Sequence, residues 1–302
     1  MAANSSLRRA LKRAFHPLLD QPAYRLVQAL AKAWDIRSGN WTEPELDLLR
    51  LGVREGDTVL DIGANYGLYS YHFSRAVGTS GRVISFEPVP GTSATLGIVA
   101  RLLSLGNVDI VTKGCGEETT RMVFEVPVQS SGAVAAGQAY IGRRNDNHPG
   151  KDEQVRWSGT EQVWCEVVRL DEFLPPLADL SFVKCDIEGA ELFAFRGGEE
   201  TISRHLPSVI CEINPWFLEG FGIGLEELTG FFIDKGYRLF RYRESDGRKR
   251  LQSVRPDEIL EDNYVFLHPR RIDRFSALLG RHEQEHRHEN TRPWHRGEVP
   301  SE

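Results

Sequence analysis

The feature that most constrains this chain is a short apolar run that passes directly into a glycine-containing loop. The run covers residues 58–62 (TVLDI), and Gly63 and Gly67 bracket the loop before a helical stretch begins at Leu68. Glycines at such a turn permit positive φ angles and a close approach of the backbone to a ligand. In a doubly wound sheet, ligands bind beyond the carboxyl ends of the strands. The sequence therefore predicts a ligand site at the end of this first strand.

Strand-like and helical segments alternate on both sides of the loop. Strands are predicted at 58–62, 82–86, 108–111, 180–185 and 208–211, helices at 68–77, 92–104, 190–204 and 225–235, and an antiparallel edge pair at 237–240 and 264–267. This order is typical of a mostly parallel sheet with helices on its faces. We therefore predict an α/β, Rossmann-like fold.

The domain organisation follows from the same pattern. We expect an N-terminal helical segment over 1–50, one domain over 51–270 and a polar, disordered tail over 271–302. Residues 127–160 are rich in Gly, Ser, Asn and Asp and are predicted to form a loop insertion near the active site, because long loops in compact domains are usually functional or disordered.

The glycine spacing distinguishes between cofactors. A dinucleotide-binding loop has the pattern G-x-G-x-x-G, which places a pyrophosphate at a helix N-terminus. Counted from Gly63, that pattern needs glycines where the chain has Asn65 and Leu68. The spacing weakens the nicotinamide alternative and favours a ligand without phosphates, such as S-adenosylmethionine.

An acid at the end of the second strand supports the same interpretation. Glu87 follows Gly63 by 24 residues, and an acid at about this distance commonly binds ribose hydroxyls in Rossmann-like sites. The predicted cofactor-binding residues are Asp61, Gly63, Ala64, Asn65, Tyr66, Gly67, Glu87 and Pro88.

The ends of the fourth and fifth strands carry the candidate catalytic carboxylates. Asp186 and Glu188 follow the strand at 180–185, and Glu212 comes directly after the strand at 208–211. A neutral alcohol needs a base for its proton or a metal that lowers its pKa. Asp186 is the first candidate for the base, with Glu188 and Glu212 sharing the role, and Lys184 could keep one carboxylate ionised. The three acids could instead bind Mg²⁺, which prefers oxygen ligands, although we do not favour this alternative.

Composition excludes several classes of function. A net charge of −6 argues against a general nucleic-acid binder. The four cysteines lack zinc-site spacing and are expected to be reduced core thiols in a cytoplasmic protein. Residues 1–19 are basic and place Leu7, Leu11, Phe15 and Leu18 on one helical face, so peripheral contact with a membrane surface is an open alternative to a helix packed on the domain or a frayed tail.

Several motifs together resemble the FkbM family of methyltransferases over about residues 55–267. They are DIGANYG at 61–67, FEP at 86–88, LDEF at 170–173, FVKCDIEGAE at 182–191 and RGG at 196–198. The resemblance implies a seven-stranded class I methyltransferase fold, S-adenosylmethionine as methyl donor and a hydroxyl acceptor on a sugar, glycan or secondary metabolite. The chain is thus interpreted as an O-methyltransferase. The alternatives are a nicotinamide-dependent oxidoreductase and a non-catalytic module that binds S-adenosylmethionine.

Overall fold

The computed structural model describes residues 21–129, 140–141, 157–245 and 247–280. The helices are α1 (Gln21–Ser38), α2 (Leu46–Gly52), α3 (Leu68–Val77), α4 (Pro90–Leu102), α5 (Leu170–Phe173), α6 (Glu191–Gly197), α7 (Glu199–His205), α8 (Pro215–Gly220), α9 (Leu225–Ile233) and α10 (Pro269–Ile272). The strands are β1 (Thr58–Ile62), β2 (Arg82–Phe86), β3 (Val108–Val111), β4 (Gly114–Cys115), β5 (Thr120–Gln129), β6 (Tyr140–Ile141), β7 (Trp157–Val168), β8 (Leu180–Cys185), β9 (Ser208–Ile213), β10 (Arg238–Ser245), β11 (Arg248–Ser253) and β12 (Asp262–Leu267).

The main sheet has eight strands in the order β11-β10-β12-β9-β8-β1-β2-β3. Strand β1 pairs in parallel with β2 on one side and with β8 on the other, so the direction of strand addition reverses at β1. Such a switch point is where open α/β sheets bind ligands. The strand order confirms the predicted Rossmann-like, class I methyltransferase fold.

The antiparallel part of the sheet is larger than the sequence predicts. Strand β12 runs antiparallel to both β9 and β10, as expected for the predicted pair, but it lies inside the sheet. The edge strand is β11, which forms an antiparallel hairpin with β10 and makes eight strands where seven are predicted. Only Leu251 of β11 is buried, and the other five residues are exposed and polar. The strand therefore lacks the alternation of apolar and polar residues by which a strand is predicted from sequence.

Four further strands form a second sheet in the order β4-β7-β5-β6. Strands β5 and β7 form a long antiparallel ladder from Thr120 to Gln129. The ends of this ladder extend into the predicted 127–160 loop insertion, so residues 127–129 and 157–160 are strand residues. Residues 130–139 and 142–156 of that insertion lie outside the described residues.

The central strands are buried on both faces because helices cover both sides of the sheet. Every residue of β8 is buried, and so are the last four of β1 and β2. The four cysteines are free and buried, which confirms the predicted core thiols.

The chain continues to pack on the domain beyond residue 270, so the predicted disordered tail begins too early. Arg271 is buried and its guanidinium donates to the carbonyl oxygens of Leu180, His205 and Leu206. Phe275 is fully buried. A buried arginine with these partners fixes the segment, and the predicted tail from 281 onwards lies outside the described residues. Among the residues that the structure describes, no helix is long and apolar enough to cross a membrane.

Candidate active site

A cleft opens at the carboxyl ends of β1, β2 and β8, where the sequence predicts a ligand site. Its lining residues are Trp41, Glu43, Asp61, Gly63, Ala64, Asn65, Leu68, Tyr69, Glu87, Pro88, Val89, Phe124, Lys184, Asp186, Ile187 and Glu188. The three strand-end acids Asp61, Glu87 and Asp186 therefore share one cleft.

The floor of the cleft depends on a close approach of two loops at Gly63. This residue has a φ of 82°, and a β-carbon placed on it would lie 1.9 Å from the carbonyl oxygen of Asp186. Only glycine therefore allows the loop after β1 to pass so close to the loop after β8. Asn65 follows with a φ of 51°, and its side-chain oxygen is buried without a hydrogen-bond partner. An orphaned buried acceptor in a cleft is a position where a ligand donor would fit.

Glu87 is held at the cleft by two backbone amides. The amide of Asn65 donates to Oε2 of Glu87 at 2.9 Å, and the amide of Val89 donates to Oε1 at 3.1 Å. Burial raises the pKa of Glu87 to about 7. A carboxyl group fixed in this way can accept hydrogen bonds from a pair of ligand hydroxyls without reorganising.

Asp61 lies deeper, at the end of β1. The hydroxyl of Ser70 in α3 donates to Oδ2 of Asp61 at 2.5 Å, and Ser70 also lies 2.9 Å from the hydroxyl of Ser85. Burial raises the pKa of Asp61 to about 6. These hydroxyls orient the carboxyl group toward the glycine loop that it supports.

A buried lysine organises the acids at the ends of β8 and β9. The Nζ of Lys184 lies 3.3 Å from Oδ2 of Asp186 and donates to Oδ1 of Asn263 at 3.1 Å. The side chain of Lys184 is only 1% exposed, whereas that of Asp186 is 39% exposed. Burial alone would lower the pKa of Lys184, but the surrounding acids outweigh it and raise that pKa. The predicted pairing of Lys184 with a carboxylate is thus present.

The carboxyl groups of Asp186 and Glu212 are hydrogen-bonded to each other. The nearby Asp186 carboxylate, together with burial, raises the pKa of Glu212, which therefore donates a hydrogen bond to Asp186. Burial acts to raise the pKa of Asp186 as well, but Lys184 and the hydrogen bond from Glu212 lower it on balance. Asp186 is thus the ionised member of the pair, and it is the one that lines the cleft.

Glu188 lies in the tight loop between β8 and α6, with a φ of 58°, and lines the cleft beside Asp186. Glu191 shapes this loop from beneath. It is 1% exposed, and its Oε1 accepts from the amides of Ile187 and Gly189. Glu191 is therefore a positioning residue for the segment that carries Asp186 and Glu188.

Three of the predicted site residues do not line the cleft. Tyr66 is buried on the far side of the glycine loop, where its hydroxyl accepts from Gln28 in α1. Gly67 has a φ of 91° and begins α3, with Leu96 directly against it. Glu212 lies behind Asp186. These three residues therefore pack behind the residues that line the cleft and do not face it.

Two cleft residues from the N-terminal segment were not predicted as site residues. Trp41 and Glu43 lie between α1 and α2 and close one side of the cleft. Glu43 lies beside Lys184 and Tyr69, and burial raises its pKa. The sequence gives a helix-start pattern at residues 42–45, but no local feature shows that this turn reaches the sheet edge.

The cleft is strongly acidic. Its lining includes the carboxyl groups of Glu43, Asp61, Glu87, Asp186 and Glu188, and the single basic side chain is Lys184. Within the described part of the chain, no group of three or more His, Cys, Asp or Glu side chains has an arrangement that could hold a metal ion.

A second, mostly apolar cavity of about 400 Å³ adjoins the cleft. Gly63, Pro88, Phe124 and Ile187 line both spaces. The far wall comes from the second sheet, through Met122, and from Phe193 and Phe221 near α6 and α8. The acidic cleft thus opens onto a space that suits apolar ring or chain atoms.

Comparisons with known proteins identify the family. The family described as "Methyltransferase FkbM domain" matches residues 61–239, which is well over half of the chain. "Methyltransferase 1" of Beauveria bassiana is 25% identical over 162 residues, covering 51% of this chain and 64% of that protein. "Protein-L-isoaspartate O-methyltransferase 2" of Archaeoglobus fulgidus is 34% identical over 61 residues, covering 20% of this chain and 28% of that protein.

Among solved structures, the chain is similar to a methyltransferase FkbM from Methylobacillus flagellatus. The TM-score is 0.44 at 18% identity, and the match covers 80% of this chain and 54% of that one. The chain spans less than two thirds of the length of each of these relatives. The match across the strands that build the cleft shows that this chain belongs to the FkbM methyltransferase family.

Proposed function

We propose that the protein transfers a methyl group from S-adenosylmethionine to a hydroxyl oxygen. The observation that carries this proposal is the acidic cleft at the switch point of the sheet, where five carboxyl groups face one buried lysine. S-adenosylmethionine, when bound, supplies an electrophilic methyl group on a positively charged sulfur. The family match supports this donor.

The charge of the cleft favours this donor over a dinucleotide. A pyrophosphate carries two negative charges, and placing it among carboxylates in a partly buried site is costly. A sulfonium and an ammonium group are cations that carboxylates stabilise. The family match likewise speaks for the methyltransferase interpretation over the nicotinamide alternative, and the glycine spacing agrees with it.

The lining residues suggest how the donor would be held. Glu87 would accept hydrogen bonds from the ribose hydroxyls, while Asp61 and the loop from Gly63 to Asn65 would hold the amino-acid part. The apolar side chains of Val89 and Ile187 would contact the adenine ring of the donor. Each assignment matches the chemistry of a lining group, and the orphaned oxygen of Asn65 would gain a donor.

Asp186 is the proposed base for the acceptor hydroxyl. It is ionised, it faces the cleft, and the hydrogen bond from the protonated Glu212 behind it holds its carboxylate in place. As the acceptor oxygen bonds to the methyl carbon, its proton passes to Asp186 and the electron pair of the broken carbon–sulfur bond stays on sulfur. Lys184 supplies a fixed positive charge beside these acids, so we propose that proton transfer proceeds without Mg²⁺.

We propose the adjoining cavity as the site of the acceptor. We place a hydroxyl-bearing metabolite or glycan there, with apolar atoms against Met122, Phe193 and Phe221 and its hydroxyl toward Asp186. Holding the oxygen and the methyl group in line would supply much of the rate acceleration.

The experiment is a transfer assay with methyl-labelled S-adenosylmethionine across sugar, glycan and secondary-metabolite acceptors, in the presence of Mg²⁺ and of EDTA. We expect label in an O-methyl product at equal rates in both conditions. Label found only on nitrogen or carbon would contradict the hydroxyl acceptor, and a rate abolished by EDTA and restored by Mg²⁺ would contradict the metal-free base. If the protein bound S-adenosylhomocysteine but transferred label to no acceptor, the non-catalytic alternative would be favoured.

A further inference from the structure

Helix α1 presents a stripe of large apolar side chains to the outside of the molecule. Leu26, Val27, Leu30 and Trp34 are 47%, 52%, 49% and 66% exposed. Positions 26, 30 and 34 are four residues apart and 27 lies beside them, so all four fall on one face of the helix. They are half of the large hydrophobic side chains that are strongly exposed among the described residues. We call this face the α1 stripe.

The stripe is not the face by which α1 packs on the domain. Ala29, Ala33 and Ile36 are buried and belong to the core cluster on that side of the sheet. The helix thus has two apolar faces, a narrow one of mostly small residues against the protein and a broad one of large residues directed outward. Large contiguous apolar surface on a monomer usually marks an interaction site.

The charge around the stripe indicates the chemistry of its partner. Residues 1–37 contain seven basic and two acidic side chains, although the whole chain carries a net charge of −6. The basic residues are Arg8, Arg9, Lys12, Arg13, Arg25, Lys32 and Arg37, and the acidic ones are Asp20 and Asp35. Asp35 is buried, while Arg37 is exposed at the end of α1. Apolar anchors combined with local positive charge are the signature of a helix that lies on an anionic lipid surface.

The helix that carries the α1 stripe lies close to the cleft. Lys32 stacks over the ring of Trp41 at 4.3 Å, and Trp41 lines the cleft. Lys32 also lies 4.8 Å from the centre of the Tyr66 ring, which supports the glycine loop from behind. A surface that binds the α1 stripe would therefore be one helix away from the cleft.

We infer that the α1 stripe is a docking surface for an anionic lipid bilayer, which it would enter with Trp34 and the three aliphatic side chains. The inference concerns binding alone and stands whether or not the proposed methyl transfer is correct. Aliphatic and aromatic side chains would enter the interface, and the exposed Arg37 at the end of α1 would face the lipid phosphates. The basic residues between Arg8 and Arg13 lie outside the described residues. Each large apolar side chain in such an interface is expected to strengthen binding by about tenfold.

The test is co-sedimentation of the full chain with vesicles of phosphatidylcholine containing phosphatidylserine, compared with vesicles of phosphatidylcholine alone. We expect binding to the anionic vesicles that weakens with added salt. Trp34→Ser should reduce this binding by about tenfold, and Leu30→Ser combined with it by about a hundredfold. The matched controls are Trp164→Ser and Leu260→Ser, at positions that are 62% and 63% exposed outside α1, and both should bind as the unaltered chain does.

Other occupants of the stripe give different results. If residues 1–20 or a second copy of the chain covered it, Trp34→Ser would leave vesicle binding unchanged, and a second copy would be seen as a dimer that this substitution dissociates. Either result overturns the inference. So does an equal loss of binding in Trp34→Ser and Trp164→Ser. The unfolding temperature of each variant, measured in parallel, separates loss of the surface from loss of the fold.

Discussion

Replacing Asp186 with asparagine should lower the turnover number by at least about a hundredfold while leaving the affinity for S-adenosylhomocysteine within about threefold. The amide keeps the shape of the side chain but cannot accept the acceptor proton. The strand-end position and the contact with Lys184 are kept, so the donor site should stay intact. Single-turnover rates with a labelled donor, together with calorimetric titration of S-adenosylhomocysteine, measure the two effects separately.

The control for this substitution is Asp109→Asn. Asp109 lies on β3, half exposed and paired with Arg82, at the far edge of the sheet from β8. Asp109→Asn should change neither the turnover number nor the affinity for S-adenosylhomocysteine. If Asp186→Asn kept the full single-turnover rate, Asp186 would not be the base, and Glu188 would become the next candidate among the carboxylates that face the cleft.

Replacing Gly63 with alanine should destabilise the protein by at least about 3 kcal/mol and abolish donor binding. The added β-carbon would lie 1.9 Å from the carbonyl oxygen of Asp186, and the φ of 82° is unfavourable for any side chain. The backbone must therefore move at the floor of the cleft. Denaturant unfolding gives the loss of stability, and calorimetry gives the loss of binding.

A second glycine provides the matched comparison. Gly97 lies inside α4, and nothing lies within 4 Å of a β-carbon placed on it. Gly97→Ala should therefore stabilise the protein by up to about 1 kcal/mol, because alanine is the better helix former. If Gly63→Ala proved as stable as Gly97→Ala and still bound the donor, the close approach of the two loops would be wrong.

The sequence predicts the centre of the fold well because there each signal is local. Strand β1, the glycine loop and α3 follow one another within twenty residues, and each has its own pattern. The edge is harder to predict. Strand β11 carries only one buried side chain, and the residues after 270 are fixed by Arg271 through carbonyl groups that are distant in the chain.

In the candidate site, too, local sequence patterns predict some residues, and packing between distant segments places the others. Asp61, Glu87 and Asp186 were predictable because carboxyl ends of parallel strands meet at one edge. Trp41 and Glu43 reach the cleft only through the packing of α1 and α2, which no local pattern reveals. Tyr66 and Gly67 occupy loop positions that the sequence cannot assign to the inner or outer side of the turn. In the structure they face Gln28 and Leu96.

The division of roles between Asp186 and Glu212 also required the structure. The sequence makes Asp186 the first candidate for the base but leaves Glu212, near the end of the neighbouring strand, to share the role. Two negative charges this close cannot both form at low cost, so only one of the two acids is ionised. Lys184 stabilises the charge on Asp186, and Glu212 stays protonated. Environment rather than residue type therefore selects the proposed base.

The most direct test of the central claim is a calorimetric titration of the protein with S-adenosylhomocysteine and, separately, with NAD. We predict saturable binding of S-adenosylhomocysteine with one site per chain, weakened at least about tenfold in Glu87→Ala, and no binding of NAD. Glu87→Gln keeps an acceptor for one backbone amide and guards against a folding defect in the alanine variant. Binding of NAD alone, or equal affinity for S-adenosylhomocysteine in the native chain and both Glu87 variants, would contradict the assignment of this cleft.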